Sequence, residues 1–593
     1  MLKKFFMNVL SSFVGAWLAI LLSALTFFIL IVGIIGILIS KEAEIPKDSV
    51  LRIELNGELL ERETPLELSL SSLLAGELDQ YQSVETLTAA IGEAKVNDRI
   101  KAIYLDCGAL SSSPASVNAV RDALIEFKAS GKKIFAYADT YSQASYFVAT
   151  AADYLYLNPA GSVDLHGVGG QTLFLKDLFD KVGVQFQVVR VGEGKSAVEP
   201  YTEAHMSDYA RRQTMEVLDT IWNQFSGELA RSRKLKAGDI DSLINRDFIS
   251  VRTAQFALDK KLVDGLKYRH EVEEMVSKAC GQEETLENVA TPQMAAMSNT
   301  KWSPVNNMLD NQIAVVYACG EIDGGFGGID SQQTVKTILE LAENDDVKGM
   351  VLRVNSPGGS AFGSEQIWEA VETFKKKNKP VAVSMGDYAA SGGYYISCGA
   401  DCIFADRFTV TGSIGIFGLI PNIQGLTQKL GMNVETVATN PDALFPTLFE
   451  PMTPAQTAAM QNMVNDGYEL FVKRCAEGRK MKVSDIKAIA DGRPISAPTA
   501  LRLKLIDYIG SLEEAVNWTA SQAKTGNDFH IGIYPQVDDT LGLLLGGGAS
   551  PRLKSLMEGM SSDHVNSKIL DALRTILGED RIKALLPVSR VRI

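Results

Sequence analysis

The chain has 593 residues, of which 46% are apolar and 22% charged, a composition typical of packed globular domains rather than of disordered chains. Its net charge of -14 and the lack of a strongly basic stretch exclude nucleic acid as a natural partner. The five histidines are scattered and form no HExxH pattern, so no metal ion and no other cofactor is expected.

The N-terminal segment from Phe5 to Ser40 contains no charged residue. Its most apolar part, Phe13 to Ile39, is 27 residues long, whereas about 20 suffice to cross the hydrocarbon core of a bilayer. It ends without a small-residue cleavage pattern, so it predicts an uncleaved anchor rather than a signal peptide. Lys3 and Lys4 precede it and orient the N-terminus inward. Residues 1–45 are therefore predicted to be a short cytoplasmic stub and one transmembrane helix, which leaves the rest of the chain outside, in the periplasm of a bacterium.

The remaining chain contains one unit twice. Three segments of the first half resemble segments 247 or 248 positions later, and a spacing held over so many residues indicates tandem domains. The matching pairs are Ile100–Asp106 with Val347–Val354, Ala149–Leu157 with Ser397–Ala405, and Lys181–Val189 with Leu430–Val437. We predict a first α/β repeat over residues 46–280, a polar linker over 281–305, a second repeat over 306–535 and a C-terminal tail over 536–593.

Each half alternates short strands with helices, which predicts a mostly parallel α/β unit. Ser116–Ser130 and Ser364–Lys377 have the apolar spacing of helices. The predicted strands are AIYL, KIFAYA and YLYLN in the first half and GMVLRVN, PVAVSM and DCIFA in the second.

Two glycine-rich turns follow successive strands of the second half. The first, Asn355–Gly359 (NSPGG), has paired glycines that leave backbone N–H groups unobstructed and permit positive φ. The second, Asp387–Tyr395 (DYAASGGYY), places Ser391 among small residues, where its hydroxyl could be exposed as a nucleophile. Each turn alone is equally compatible with ordinary tight packing. Together they predict a catalytic serine beside an oxyanion hole.

These turns, with Thr411–Ile416 (TGSIGI) after them, resemble the signal peptide peptidase A family, also called protease IV. The doubled unit behind one anchor resembles its long tandem form, over nearly the whole chain to about residue 525. The resemblance implies two Clp protease/crotonase-like α/β units, a Ser/Lys dyad, and cleavage of remnant signal peptides and other apolar peptides at the membrane. It also implies a homo-oligomer, a homotetramer in this family.

The position of the general base follows from the repeat. Gln143 lies 248 positions before Ser391, so the first half lacks the nucleophile. In single-unit members of the family the lysine follows the serine, and the first half offers Lys195 in the stretch RVGEGKSAVEPYT. The matching position of the second half is Ala443. Each half therefore keeps one member of the dyad, and the active site must form where a first half meets a second half.

Other roles come from the family pattern and from the chemistry of a lysine base. Ser413 resembles the family serine that hydrogen-bonds the lysine amine, and the backbone amides of Gly358, Gly359 and Gly392 are the expected oxyanion hole. A lysine acts as a base only when neutral, so burial must lower its pKa, and Glu193 and Glu199 are expected to point away from it.

Two other functions remain open from the sequence. The shared fold allows a crotonase-like acyl-CoA enzyme, although an outward-facing domain would lack a supply of CoA. A non-enzymatic membrane scaffold with a relic site is the other, and the intact motifs argue against it.

The six cysteines form no CxxC pair and are expected to be buried thiols, with a disulfide left possible. The dyad could join within one chain or between neighbours, and the linker favours the former.

Overall fold

The computed structural model describes residues 45–62, 82–236, 238–282, 286–291, 294, 311–325 and 327–535, and the backbone of 582–585. The predicted membrane anchor and most of the predicted linker and tail lie outside these residues. Within them, no helix is long and apolar enough to cross a membrane. The described residues from Asp48 onward belong to one compact unit that contains both repeats; of the other unit only residues 45–47 are described.

The first repeat is built on a parallel sheet whose strands follow the order β2-β1-β3-β4-β5-β7, with β8 beside β1. Its strands are β1 (Ser49–Leu60), β2 (Gln82–Ser83), β3 (Ile100–Ser111), β4 (Lys133–Tyr141), β5 (Tyr154–Val163), β6 (Gln185–Arg190, outside this sheet), β7 (Gly265–Leu266) and β8 (Asn288–Ala290). Its helices are α1 (Val84–Val96), α2 (Pro114–Phe127), α3 (Gln143–Ala149), α4 (Lys176–Val182), α5 (Glu199–Thr202), α6 (Asp208–Ser232), α7 (Asp239–Asn245), α8 (Ala254–Asp259) and α9 (Arg269–Cys280).

The second repeat has the same plan, with strand order β16-β14-β12-β10-β9-β18 and β13 between β12 and β17. Its strands are β9 (Gln312–Cys319), β10 (Val347–Ser356), β11 (Gly358–Ser360, outside this sheet), β12 (Val381–Ala390), β13 (Cys402–Ala405), β14 (Val410–Gly412), β15 (Phe417–Asn422, outside this sheet), β16 (Pro494–Ser496), β17 (Tyr508–Ile509) and β18 (His530–Tyr534). Its helices are α10 (Ser331–Glu343), α11 (Ala361–Lys376), α12 (Gly392–Ser397), α13 (Gln424–Lys429), α14 (Pro454–Gly478), α15 (Val483–Lys487), α16 (Ala497–Arg502) and α17 (Leu512–Gln522).

The central strands of the second sheet are buried on both faces. Every residue of β12 is buried, as are eight of the ten in β10, because helices cover both sides of a parallel sheet and its strands are near-continuous apolar runs. The six predicted strands correspond to β3, β4, β5, β10, β12 and β13, and the two predicted helices to α2 and α11, which confirms the predicted alternation. The rigid ends of β10 and β12 carry the two glycine-rich turns.

A third, antiparallel sheet joins the two repeats, in the order β11-β19-β15-β6. β6 of the first repeat pairs with β15 of the second, from Phe417 opposite Arg190 to Asn422 opposite Gln185. Between β11 and β15 lies β19 (Ile582–Leu585), a short strand of the predicted tail. The predicted linker likewise contributes β8 to the first sheet. Both segments form strands because each lies along a strand edge whose N–H and C=O groups it can pair.

Candidate active site

Ser391 lies directly after β12, at the point where the chain turns into α12. Its backbone adopts φ 58° and ψ -115°, a sparsely populated conformation for a residue with a side chain, which costs about 1–3 kcal/mol and is typical of functional sites. A hydrogen bond of 2.8 Å from the Ser391 N–H to the Gly412 carbonyl holds this turn. The serine is fully buried among its neighbours, so its hydroxyl is fixed by packing as well as by the backbone.

Lys195 reaches this serine from the other repeat. It follows β6, and two backbone bonds fix the approach: Val191 N–H to the Ile416 carbonyl (3.1 Å) and Gly194 N–H to the Asp491 carbonyl (2.8 Å). The Lys195 Nζ contacts the Oγ of Ser391, although the two residues are 196 positions apart in one chain. The pairing of β6 with β15 is therefore what carries the lysine into the second repeat.

The environment of Lys195 favours the neutral amine. The side chain is fully buried, and burial lowers the pKa of Lys195 well below its ordinary value because a charged ammonium loses its hydration. Both nearby glutamates are directed elsewhere: Glu193 is exposed, and Glu199 accepts hydrogen bonds from the Ser207 N–H (3.0 Å) and Oγ (2.7 Å). The expectation that the two carboxylates avoid the amine is confirmed.

Ser413 is the second partner of the amine. Nζ donates to the carbonyl of Ser413 at 2.9 Å and to its Oγ at 3.1 Å. The serine itself has a positive φ of 50°. Its Oγ donates to the Gly492 carbonyl (2.9 Å), and its N–H donates to the Arg493 carbonyl (2.8 Å). Ser413 is thus oriented to present lone pairs to Lys195.

The segment Asp491–Arg493 supports both sides of this contact and was not singled out by the sequence motifs. An atom added as Cβ at Gly492 would lie 2.8 Å from the backbone nitrogen of Lys195, at a backbone φ of 91°, so only glycine fits against the lysine backbone. Asp491 also accepts a hydrogen bond of 2.5 Å from Tyr209, which ties the segment to α6 of the first repeat. The only sequence signal was a glycine before a proline-containing turn, which is common in loops.

The two glycine-rich turns lie against each other. A Cβ placed on Gly392 would be 3.2 Å from the Gly359 nitrogen and 3.2 Å from the Gly358 Cα. Gly358 and Gly359 have φ values of 111° and 150°, which favour glycine. Gly392 is the first residue of α12, so its N–H has no acceptor within the helix. The Gly358 N–H, in contrast, donates to the Ser356 Oγ at 3.2 Å.

The edges of β11 and β15 accept an extended chain beside this site. β19 runs antiparallel to β11, with Gly359 opposite Ala584, and antiparallel to β15, with Phe417 opposite Lys583. β11 contains the two glycines of the first turn, whose backbone lies against Gly392, so β19 runs beside the two glycine-rich turns. The extended chain that pairs with β11 and β15 is a segment of the chain's own tail.

The matching site of the first repeat is closed. Gln143 occupies the position equivalent to Ser391, and its side chain bridges the following loop. Its Oε1 accepts hydrogen bonds from the N–H groups of His166 (3.0 Å) and Gly167 (2.9 Å), and its Nε2 donates to the Gly167 carbonyl (2.8 Å). Ala443, the counterpart of Lys195, lies exposed in a loop. Of the two equivalent positions, both within the described ranges, only the one in the second repeat therefore has a serine hydroxyl beside a buried amine.

Other chemistry receives less support from the described residues. They include no group of three or more His, Cys, Asp and Glu side chains that could hold a metal ion. All six cysteines lie within the described ranges and are free thiols, five of them buried. A hydroxyl next to an amine whose burial favours the neutral form, with glycine-rich turns beside it, is suited to acyl transfer through a covalent intermediate.

Comparison with known proteins agrees with this chemistry. Two segments, residues 126–283 and 373–526, match peptidase family S49, and residues 298–412 match the Clp protease family. The chain is 32% identical over 509 residues to protease 4 of Haemophilus influenzae, covering 83% of this chain and 82% of that one. It is 33% identical over 478 residues to protease 4 of Salmonella typhi (79% and 76% covered). It is 28% identical over 478 residues to the chloroplastic serine protease SPPA of Arabidopsis thaliana (79% and 68% covered).

Proposed function

The chain belongs to peptidase family S49 and is a serine protease with tandem Clp-like α/β units, and from that premise we propose that it is a membrane-anchored endopeptidase with Ser391 as nucleophile and Lys195 as general base. The observation that carries the proposal is the contact between the Lys195 amine and the Ser391 hydroxyl. The amine is buried and its neighbouring carboxylates are engaged elsewhere. A base must be deprotonated at working pH, and this environment favours that form.

The proposed reaction proceeds through an acyl-enzyme. The neutral Nζ takes the proton from Oγ of Ser391 as the oxygen attacks the peptide carbonyl. The negative charge on the carbonyl oxygen is stabilised by backbone N–H groups of Gly392 and of the first glycine-rich turn. The ammonium of Lys195 then gives its proton to the leaving amine, and the peptide bond breaks. A water molecule, deprotonated by the same amine, hydrolyses the ester and frees Ser391.

Gly359 and Gly392 are the favoured donors in the oxyanion hole. Their backbones lie side by side. Gly359 lies opposite Ala584 of β19, so its N–H is available to substrate once β19 leaves, whereas the Gly358 N–H has the Ser356 hydroxyl of its own turn as acceptor. Gly358 can join them if that hydroxyl gives way when substrate binds, since hydrogen bonds in an empty site often rearrange in the bound complex.

Extended, apolar peptides are the proposed substrates, and remnant signal peptides fit this description. The position of β19 supports main-chain recognition, because added strands are held by backbone hydrogen bonds that do not depend on sequence. Anchoring through the apolar segment Phe13–Ile39 would place the protease at the bacterial inner membrane, facing the periplasm, where such peptides accumulate.

A fluorophosphonate probe tests the proposal, because it labels only an activated serine. We expect the full chain to be labelled on Ser391, and Ser391→Ala and Lys195→Ala to lose both labelling and hydrolysis of an apolar peptide ester. A scaffold with a relic site, or an acyl-CoA enzyme of related fold, would remain unlabelled. Labelling of a different serine, or full labelling of Lys195→Ala, would refute the dyad.

We also propose that the protein assembles head to tail as a homo-oligomer. Within one chain β6 pairs with β15. At a spacing of 248 positions, β6 matches residues 433–438 of the second repeat, and β15 matches residues 169–174 of the first. Neither of these two segments forms a strand in the structure. They expose Leu173 (74%), Val434 (47%) and Val437 (96%). A second copy of the chain could pair these two segments as β6 and β15 already do, and a homotetramer is the form that the family resemblance implies.

Engineered disulfides test this assembly. The register of β6 and β15 places Pro421 opposite Phe186, so Leu173 of one copy should face Val434 of the next. Mixing Leu173→Cys chains with Val434→Cys chains should give a disulfide-linked dimer under oxidising conditions. Leu173→Cys with Val437→Cys is the out-of-register control and should not link. Equal linking of both pairs, or of neither, would contradict the proposed pairing.

A further inference from the structure

A buried polar cluster centred on Asp387 joins the first repeat to the two catalytic turns of the second. Asp387 lies in β12, four residues before Ser391, and is 8% exposed. Its carboxylate accepts hydrogen bonds from the Ser116 N–H (2.9 Å) and Oγ (2.8 Å), which belong to α2 of the first repeat. It also accepts one from the Asn355 Nδ2 (3.0 Å), at the base of the oxyanion turn.

The contact with α2 places a carboxylate at the N-terminus of that helix. The residue that precedes α2, Ser113, makes no capping bond with its side chain, and the first turn contains no acidic residue. The free N–H groups and dipole at a helix N-terminus favour a negative charge. Asp387 supplies that charge from the other repeat, so the carboxylate is held in place by the docking of the two repeats.

The contact with Asn355 fixes a local irregularity of the sheet. The pairing of β10 with β12 shifts after Val354, so that three residues of β12 lie opposite Asn355 alone. The Asn355 Oδ1 accepts from the Tyr388 N–H (3.1 Å), and its Nδ2 donates to both Asp387 and Glu61. The amide thus cross-links the strand that ends in the oxyanion turn to the strand that ends in Ser391.

Glu61 gives the cluster a second connection to the first repeat. Its carboxylate accepts a 2.7 Å bond from Nε of the buried Arg353, whose Nη1 donates to Ser384 of β12. Burial works against the charge on Arg353, but Glu61 more than offsets this and the pKa of Arg353 is raised. Ser116, Asp387, Arg353 and Ser384 are buried, and the partly buried Asn355 and Glu61 link them into one hydrogen-bonded network. Such networks fix geometry closely when every member is satisfied.

We propose that Asp387 is a positioning residue which sets the distance between the oxyanion turn and Ser391, and that Ser116 of the first repeat holds Asp387 in register. The proposal rests on the proposed function. The first repeat then contributes twice to catalysis: Lys195 provides the base, and α2 fixes the frame in which the oxyanion is bound. Docking of the repeats would be required for the oxyanion hole as well as for the dyad.

Two substitutions separate this role from simple packing. Asp387→Asn keeps the size of the side chain, but its new amide donor must face either the Asn355 Nδ2 or the Ser116 N–H, so one hydrogen bond to the side chain is lost. Ser116→Ala removes one hydroxyl. Ser113→Ala, three residues earlier at the start of the same helix, is the matched control, because its side chain makes no capping bond.

The readout is the rate of hydrolysis of a blocked apolar peptide ester and of the corresponding thionoester, whose sulphur accepts hydrogen bonds poorly. We expect Asp387→Asn to lower kcat by about 10- to 100-fold with little change in KM, since misplacement of a catalytic group by about 1 Å has effects of this size. Ser116→Ala should have a smaller effect in the same direction. In both, the ratio of ester to thionoester rates should fall, because a displaced oxyanion hole discriminates less between oxygen and sulphur.

Wild type and Ser113→Ala should share the same ester-to-thionoester ratio. An unchanged ratio in both Asp387→Asn and Ser116→Ala would overturn the proposal, as would a loss that appears only in KM. If Asp387→Asn fails to fold, Ser116→Ala still decides, because the loss of one hydroxyl leaves the backbone cap intact. Failure of the proposed function is distinguishable, since the wild-type chain would then not be labelled on Ser391.

Discussion

Replacing Lys195 by methionine should make the protein inactive and, at moderate pH, more stable. Methionine has a similar length and apolar character, so it fills the site without a charge to bury. In the native site burial lowers the pKa of Lys195 well below its ordinary 10.5, so folding at moderate pH favours loss of the proton from the amine. This requirement destabilises the wild-type fold relative to the variant.

The size of the effect follows from the pH. One pKa unit corresponds to about 1.4 kcal/mol, so deprotonating an amine of ordinary pKa 10.5 at pH 8 costs about 3 kcal/mol if the folded site keeps it neutral. The direction of the pH effect follows from the number of protons bound in each state. The unfolded chain binds one proton more than the folded chain, so the stability of the wild type rises with pH up to 10.5. The advantage of Lys195→Met should therefore shrink by about 3 kcal/mol between pH 8 and pH 10.5.

The absolute gain will be smaller than this figure, because methionine leaves the carbonyl of Ser413 without its 2.9 Å donor, a loss of about 1–3 kcal/mol. This loss does not change how the difference in free energy of unfolding between Lys195→Met and wild type depends on pH. Urea unfolding followed by tryptophan fluorescence at several pH values measures that difference. The same substitution at Lys473, whose side chain is 60% exposed, is the matched control for loss of one ammonium. A difference between Lys195→Met and wild type that is constant over this pH range would refute a neutral buried amine.

Three further predictions concern the rate of catalysis and the binding of substrate. In the wild type, kcat/KM should rise with pH through the lowered pKa of Lys195, and a flat profile from pH 5 to 9 would count against a lysine base. Ser413→Ala should lower the plateau of kcat/KM about 5- to 10-fold, the value of one hydrogen bond of about 1 kcal/mol. It should also move the rising part of the pH profile to lower pH, because the Ser413 Oγ accepts from Nζ at 3.1 Å and so favours the protonated amine. A shift to higher pH would contradict this role. A chain that ends at residue 535 lacks β19 and should bind peptide esters with a lower KM, because β19 lies in the cleft between β11 and β15; an unchanged KM would show that the tail does not compete with substrate.

Much of the fold could be predicted because it depends on local pattern. Strands such as β10 and β12 are continuous apolar runs, and the spacing between the repeats located Gln143 and Ala443 as the lost members of each dyad. The structure places the Lys195 amine against the Ser391 hydroxyl and against Ser413, the residue that the family resemblance suggested.

The features that were missed depend on how the repeats dock. Ser116 and Asp387 are 271 positions apart, and neither lies in a motif that marks it, since a serine in the first turn of a helix and an aspartate in a strand are common. The support of Lys195 by Asp491 and Gly492 is of the same kind, because it comes from a loop that follows α15. The sequence predicts linker and tail where β8 and β19 lie, because short segments gain their structure from the strand edge they join.

Complementation between inactive chains tests the central claim most directly, namely that one chain forms a whole dyad from its two repeats. Ser391→Ala and Lys195→Ala chains with different affinity tags are co-expressed, and oligomers that contain both are purified through the two tags in succession. If Lys195 and Ser391 of the same chain meet, as the 196-position contact within one chain implies, no mixed oligomer contains an intact site, and hydrolysis and probe labelling should stay at the level of the single variants. Recovery of activity in the mixed oligomers would contradict the account and assign the dyad to neighbouring chains.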